Sequence, residues 1–75
     1  MKLNEMSAGT TAVIVGIRGD TETKKRLVSL GLNIGFELEV FEVPQGGDGP
    51  MLIGVGGSRL MLGNGMPNQI IVRKK

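Results

Sequence analysis

Few side chains of this sequence could do covalent or metal chemistry. The 75 residues include no histidine and no cysteine. A Ser–His or Cys–His nucleophile is therefore excluded, and none of the three serines, Ser7, Ser29 and Ser58, lies in a nucleophile-elbow pattern. The imidazole and thiolate ligands that Fe²⁺ and Zn²⁺ sites usually recruit are absent as well. We therefore predict that the chain is not an enzyme and that it carries no cofactor.

Carboxylates are the remaining metal ligands. Glu37 and Glu39 share one face of a predicted strand, and Glu42 follows closely. Hard cations accept such oxygen ligands, but alternating glutamates are more typical of a solvated strand face. We assign no metal ligand and no catalytic residue.

Glycine-rich stretches could cradle phosphate. The three candidates are Gly46-Gly47-Asp48-Gly49, Gly54-Val55-Gly56-Gly57 and Gly63-Asn64-Gly65. None has the spacing of a P-loop or a dinucleotide fingerprint. The glycines therefore indicate turns.

Basic side chains are the best candidates for a contact. Lys24, Lys25 and Arg26 are consecutive, and Arg59 stands alone. A formal net charge of +2, with two phenylalanines and no tryptophan or tyrosine, gives little support for nucleic acid, since single-strand binders stack bases on exposed aromatics. A solvated helix face and a contact with an acidic membrane remain alternatives. We predict these four residues as partner-binding residues for a protein and expect no nucleic acid.

Periodicity and turn residues predict the elements that carry these side chains. We expect a helix that is capped by Asp20 or Thr21 and ends at Leu30, with Leu27 and Leu30 facing inward. Gly31 suits the left-handed end of that helix, and Leu32 can fold back onto Leu27. A loop is predicted at 44–50, a loop or a single helical turn at 63–68, and Gly56-Gly57 fits a two-residue hairpin turn. The predicted strands are 10–17, 36–43, 51–55, 59–62 and 69–73.

The first two strands carry further detail. Both faces of strand 10–17 are apolar, which is typical of a central strand. Phe36, Leu38 and Val40 share one face of the next strand, whereas Phe41 and Val43 fall on the glutamate face. That change of face predicts a bend or a bulge near the end of the strand.

Five short strands cannot bury apolar residues on both faces as a flat sheet. We therefore predict a mainly β fold: a small SH3-like β-barrel with one helix between the first and second strands. Residues 1–75 are expected to form a single domain, because domains run from about 50 residues upward.

The order of the motifs resembles the ferrous iron transport protein A (FeoA) family. RLVSLGLNIGFELEV, residues 26–40, matches that family's arginine-leucine pair and its LGL-x-x-G turn into a strand. AGTTAVIVGIRGD, PQGGDGPMLIGVGGSRLML and QIIV resemble its first strand, its loop and hairpin, and its last strand. The segment Gly63-Asn64-Gly65-Met66-Pro67 departs from the basic and acidic helical turn usual there.

The resemblance implies an SH3-like barrel and an accessory role in bacterial ferrous iron uptake. It implies a cytoplasmic protein whose partner is the large GTP-binding ferrous iron transporter at the membrane (FeoB type). The alternative is a stand-alone metal- or effector-sensing module similar to the C-terminal domain of iron-dependent repressors. A weak homodimer through exposed strand edges also stays open.

Overall fold

The computed structural model describes residues 1–43, 49–63 and 65–75. Within these residues, five strands and one α-helix follow each other in the predicted order. Short 3₁₀ turns at Leu3–Glu5 and Pro67–Gln69 complete the fold. The elements are β1 (Thr11–Ile17), α1 (Thr21–Ser29), β2 (Glu37–Glu42), β3 (Met51–Val55), β4 (Ser58–Leu62) and β5 (Ile70–Lys74).

The strands form one antiparallel sheet in the order β4-β3-β2-β1-β5. The prediction of a mainly β fold with one helix after the first strand is confirmed. The predicted hairpin is also confirmed, because Gly56 and Gly57 have φ values of 58° and 84° between β3 and β4. The predicted loops fall partly on residues 44–48 and Asn64, which lie outside the described residues.

The core lies against one face of the sheet. β1 is central, as predicted, between β2 and β5. Ala12 and Ile14 are fully buried, but Val15 on the opposite face is largely exposed, so β1 is buried on one face only. The buried apolar side chains are Leu3, Met6, Ala12, Ile14, Leu27, Leu32, Leu38, Val40, Met51, Ile53, Leu62, Ile70 and Val72.

A bulge shapes the outer face of the sheet. The register between β2 and β3 shifts between Val40 and Glu42, which confirms the predicted bulge and leaves Phe41 as the extra residue. The ring of Phe41 lies over Gly54 of β3, where a Cβ would come within 2.6 Å of its Cε2 atom. Arg59 belongs to β4, and its guanidinium carbon lies 4.9 Å from the centroid of the Phe41 ring, within cation–π range. The missing side chain of Gly54 is what allows this stack.

Hydrogen bonds define both ends of α1. The Asp20 side chain accepts from the Thr23 backbone N–H at 2.8 Å, which satisfies one free donor of the first turn. At the other end Gly31 takes φ +90°, and the Leu32 N–H donates to the Leu27 carbonyl at 3.0 Å. The predicted glycine stop and the return of Leu32 onto Leu27 are therefore confirmed.

Two side chains are more exposed than predicted: Leu30, predicted to face inward, and Phe36, predicted to share a strand face with Leu38 and Val40. Leu30 is the C-cap residue of α1 and is 38% exposed, whereas Leu27 is fully buried. Phe36 is 48% exposed because it precedes β2 in the turn, where its carbonyl accepts from the Ile14 N–H. Both predictions were wrong for the same reason: helical and strand periodicity was extended one residue past the ends of the elements.

The N-terminal residues belong to the core. Leu3 is fully buried and Met6 nearly so, and the turn Leu3–Glu5 contacts the turn Pro67–Gln69. No element was predicted for these residues. The three-residue spacing of the two apolar side chains is the signal that could have indicated a short helical turn.

Acid should weaken the start of α1 through Asp20. The hydrogen bond from the Thr23 N–H holds the pKa of the Asp20 carboxyl below its ordinary value of 3.8. A lowered folded-state pKa means that the carboxylate cap stabilises the fold above the ordinary pKa and is lost as pH falls through the lower one. We expect Asp20→Asn, which still caps, to lose less stability than the unmodified chain as pH falls below the ordinary pKa of the Asp20 carboxyl.

Thermal unfolding followed by circular dichroism at several pH values checks this expectation. Glu22→Gln is the matched control, since Glu22 lies in the same first turn without capping α1. Identical loss of stability in acid for Asp20→Asn and the unmodified chain would contradict it.

Candidate functional site

An open groove lies beside α1, at the end of β1. It is lined by Ile17, Lys24, Val28, Asn33 and Ile34 and encloses about 430 Å³. That volume is in the range of small ligand sites, roughly 300–1,000 Å³. The lining is mainly apolar, with an amide and an ammonium group as its polar parts. Such a lining fits an apolar side chain from a partner better than a charged small molecule.

The end of α1 positions the groove. The bonds of the helix stop turn the chain back so that Leu32 is buried beneath α1 while Asn33 and Ile34 reach the surface. The Gly35 N–H then donates to the Ile14 carbonyl at 2.7 Å, which ties this turn to β1. Both walls of the groove are thus fixed by main-chain hydrogen bonds to buried elements. A partner would meet a pre-formed surface.

Two apolar side chains that line this groove lie side by side and are exposed. Val28 is 48% exposed and Ile34 is 65% exposed. Clustered apolar surface of this kind marks interaction sites, whereas scattered apolar residues do not.

Lys24 supplies the charge of the groove. It precedes Val28 by four residues, so both side chains lie on the same face of α1. Lys25 projects about 100° away around the helix and is exposed. An apolar floor with a cation at its rim is complementary to an apolar side chain flanked by carboxylates.

The other predicted partner-binding residues lie elsewhere. Arg26 lines a second cleft of about 190 Å³ with Thr23, Met66 and Gln69 on the opposite side of α1. Arg59 is on β4, stacked over Phe41. The structure therefore does not bring Lys24, Lys25, Arg26 and Arg59 into one patch.

The glutamate face offers no metal centre in the described part of the chain. The Glu37 carboxylate forms an ion pair with the Lys75 ammonium group. Across residues 1–43, 49–63 and 65–75, no group of three or more acidic side chains could hold a metal ion. The described helices are also too short and polar to cross a bilayer.

The apolar part of this groove was not predicted from the sequence. Val28 and Ile34 were not assigned to the core or to a site. Their signal was available: Val28 lies outside the inward stripe set by Leu27, and Ile34 occupies a turn that hydrophobic residues usually avoid. What could not be read from the sequence is that the turn brings Ile34 beside Val28.

Comparison with known proteins decides the family. The FeoA domain family matches residues 1–74. The chain belongs to the FeoA family. A curated FeoA-family relative, a putative Fe(2+) transport protein A from Methanocaldococcus jannaschii, is 33% identical over 64 residues, which cover 85% of this chain and 74% of that protein.

Solved FeoA structures share the fold. A crystal structure of an iron uptake regulatory protein (FeoA) is 36% identical, with a TM-score of 0.91 over 100% of this chain and 97% of that one. FeoA of Stenotrophomonas maltophilia, crystallised with zinc, is 26% identical with a TM-score of 0.80, covering 97% of this chain and 89% of its own. That protein is described as a prokaryotic SH3 domain protein. The predicted SH3-like fold and FeoA resemblance are therefore confirmed, and the chain belongs to a family associated with ferrous iron transport.

The same fold occurs in metal-dependent repressors. A manganese-dependent transcriptional repressor superposes with a TM-score of 0.89, with this chain covering 41% of its length at 18% identity. At that identity the likeness concerns the FeoA-like fold alone.

Proposed function

We propose that this chain is a cytoplasmic accessory protein of bacterial ferrous iron uptake that binds the large GTP-binding ferrous iron transporter at the membrane. The observation that carries the proposal is the pre-formed apolar groove, with Val28 and Ile34 exposed beside Lys24. Family membership supports the transport context. The description of the Stenotrophomonas maltophilia relative as a candidate ferrous iron transport activating factor also supports it.

The proposed contact is a segment of the transporter that carries an apolar side chain next to carboxylates. The apolar side chain fills the space between Val28 and Ile34, and a carboxylate pairs with the Lys24 ammonium group. Desolvated apolar anchors usually dominate the energy of such a contact, while a charge at the rim affects association rate and specificity. Lys25 is adjacent to Lys24 on α1, whereas Arg26 and Arg59 face other surfaces. Contact of Lys25, Arg26 and Arg59 with the transporter stays a prediction.

Binding of the purified GTP-binding domain of the transporter from the same organism tests the proposal. We expect Ile34→Asp to weaken binding at least about tenfold, because it places a carboxylate in an apolar contact meant to be desolvated. Val43→Asp is the matched control, since Val43 is also an exposed apolar residue but lies at the far end of β2. Isothermal titration calorimetry gives the dissociation constants.

A charge series tests the rim of the groove. Lys24→Glu should slow association and weaken binding more than Lys25→Glu, since only Lys24 lines the groove. Equal binding by the unmodified chain and by Ile34→Asp would show that the groove is not the contact surface. Failure of the unmodified chain to bind the full-length transporter in membranes would overturn the function itself.

A further inference from the structure

Within the described residues, one edge of the sheet is covered by the N-terminal segment and the other edge is open. The outer edge of β5 is covered by the start of the chain: the Val72 N–H donates to the Met1 carbonyl at 2.7 Å, and Lys2 pairs with Ile71. β4 is the other edge, with β3 as its one neighbour in the sheet. Within the described residues, no segment pairs with the outer side of β4. An edge left open in this way is a template for another strand.

The free main-chain groups of β4 can be assigned from the hairpin. A two-residue turn makes the flanking pair, Val55 and Ser58, a hydrogen-bonded pair, and the type of pair then alternates along the ladder. Leu60 is consequently bonded to β3, whereas Arg59 and Met61 direct their N–H and C=O groups outward. Neither residue takes part in the main-chain hydrogen bonds outside the strand ladders of the described chain.

We propose that β4 pairs antiparallel with β4 of a second copy of this chain, about a two-fold axis beside Leu60. Arg59 of one copy then lies opposite Met61 of the other, and the reverse pair follows by symmetry. Both are outward-directed residues, so each pair exchanges two hydrogen bonds. The two five-stranded sheets join into one continuous sheet.

Side-chain chemistry favours this register over the two registers that place the two-fold axis beside Arg59 or beside Met61. A two-fold axis beside Arg59 would place two guanidinium groups directly opposite each other, which is destabilising across strands. An axis beside Met61 would pair Arg59 with Gly63, beyond the end of β4. With the axis beside Leu60, the outward N–H and C=O groups of Arg59 and Met61 all pair within β4 of the second copy. The two guanidinium groups then stay apart.

The same register covers the apolar side chains of the edge. Met61 is 58% exposed on the outer face and would pack against the aliphatic stem of Arg59 of the second copy. Leu60 is half-buried and would meet Leu60 of the second copy. The contact involves one short strand from each copy, so it falls in the weak, transient class below about 1,200 Å². Such a dimer forms at high local concentration and presents two grooves to a clustered partner, which raises avidity.

Opposite charges at position 61 test the register. Met61→Glu sets a carboxylate against Arg59 of the second copy in both symmetric pairs, and Met61→Lys sets an ammonium group there. We expect the association constant of the dimer to be about two- to thirtyfold higher for Met61→Glu than for Met61→Lys, with the value for the unmodified chain between them. Sedimentation equilibrium over a concentration series measures it, and circular dichroism checks that both variants are folded. Equal self-association of the two variants, or a strictly monomeric unmodified chain at millimolar concentration, would overturn the proposal.

A single cysteine gives an independent test, because the natural chain has none. Leu60 would face itself in a non-hydrogen-bonded pair, with Cα atoms about 4.5 Å apart, which suits a disulfide. We expect Leu60→Cys to form covalent dimers under mild oxidation faster than Met61→Cys and Ser29→Cys, the latter an exposed position on α1. Fastest cross-linking at Met61→Cys would contradict the register, and equal rates at all three positions would contradict the edge contact. An unmodified monomer whose Met61 variants change only transporter binding would assign the edge to the transporter and refute the second copy.

Discussion

Leu27→Ala is expected to lower the free energy of unfolding by about 2–5 kcal/mol, the range for truncating a fully buried leucine. Leu27 is 0% exposed and is the buried side chain by which α1 packs on the sheet. A chain of 75 residues has a total stability of roughly 4–11 kcal/mol. The substitution therefore removes a large part of that stability, and a population of unfolded chains becomes measurable.

Chemical denaturation followed by circular dichroism is the suitable measurement, since the chain has no tryptophan or tyrosine to report by fluorescence. Leu30→Ala is the matched control, three residues along on the same helix and partly exposed. We expect it to cost about 1 kcal/mol or less. Equal costs for the two substitutions would mean that α1 does not pack through Leu27 as described.

Leu3→Ala is expected to have an effect of similar size, about 2–5 kcal/mol. Leu3 is fully buried although it lies at the start of the chain, and it holds the segment that covers β5. Losing that anchor should free the Met1 carbonyl from the Val72 N–H. A second edge of the sheet then opens, and open edges promote aggregation.

Two readouts separate these effects. Denaturation gives the loss of stability, and amide hydrogen exchange at Val72 reports the opening of the β5 edge. Lys2→Ala is the control, because its side chain is exposed and its main-chain pairing with Ile71 remains. Unchanged exchange at Val72 in Leu3→Ala would show that the N-terminal segment stays in place without its buried anchor.

Local rules predicted most of the fold. The glycine stop after α1, the Gly56-Gly57 hairpin and the bulge after Val40 each depend on a few consecutive residues, and all three were confirmed. The errors at Leu30 and Phe36 lie at the ends of elements, whereas the burial of Leu3 was missed because it depends on a tertiary contact. Leu3 is buried because the Pro67–Gln69 turn lies beside it, and that contact spans most of the chain.

The candidate site was less accessible to sequence reasoning. Consecutive cations, Lys24 to Arg26, suggested one basic patch, but a helix distributes neighbouring side chains around its axis. The structure accordingly puts Lys24 and Arg26 in different clefts. Finding the groove required knowing that the turn after Leu32 brings Ile34 beside α1, which depends on the bond from Gly35 to the Ile14 carbonyl.

The aromatic ring seated on Gly54 makes the residues at positions 41 and 54 depend on each other. A side chain at 54 would displace the Phe41 ring, since its first carbon would come within 2.6 Å of the ring. Glycine at 54 and an aromatic residue at 41 should therefore be inherited together, and a relative that gains a methyl group at the first should lose the ring at the second. Paired substitution at these two sites is the expected signature of this contact among relatives.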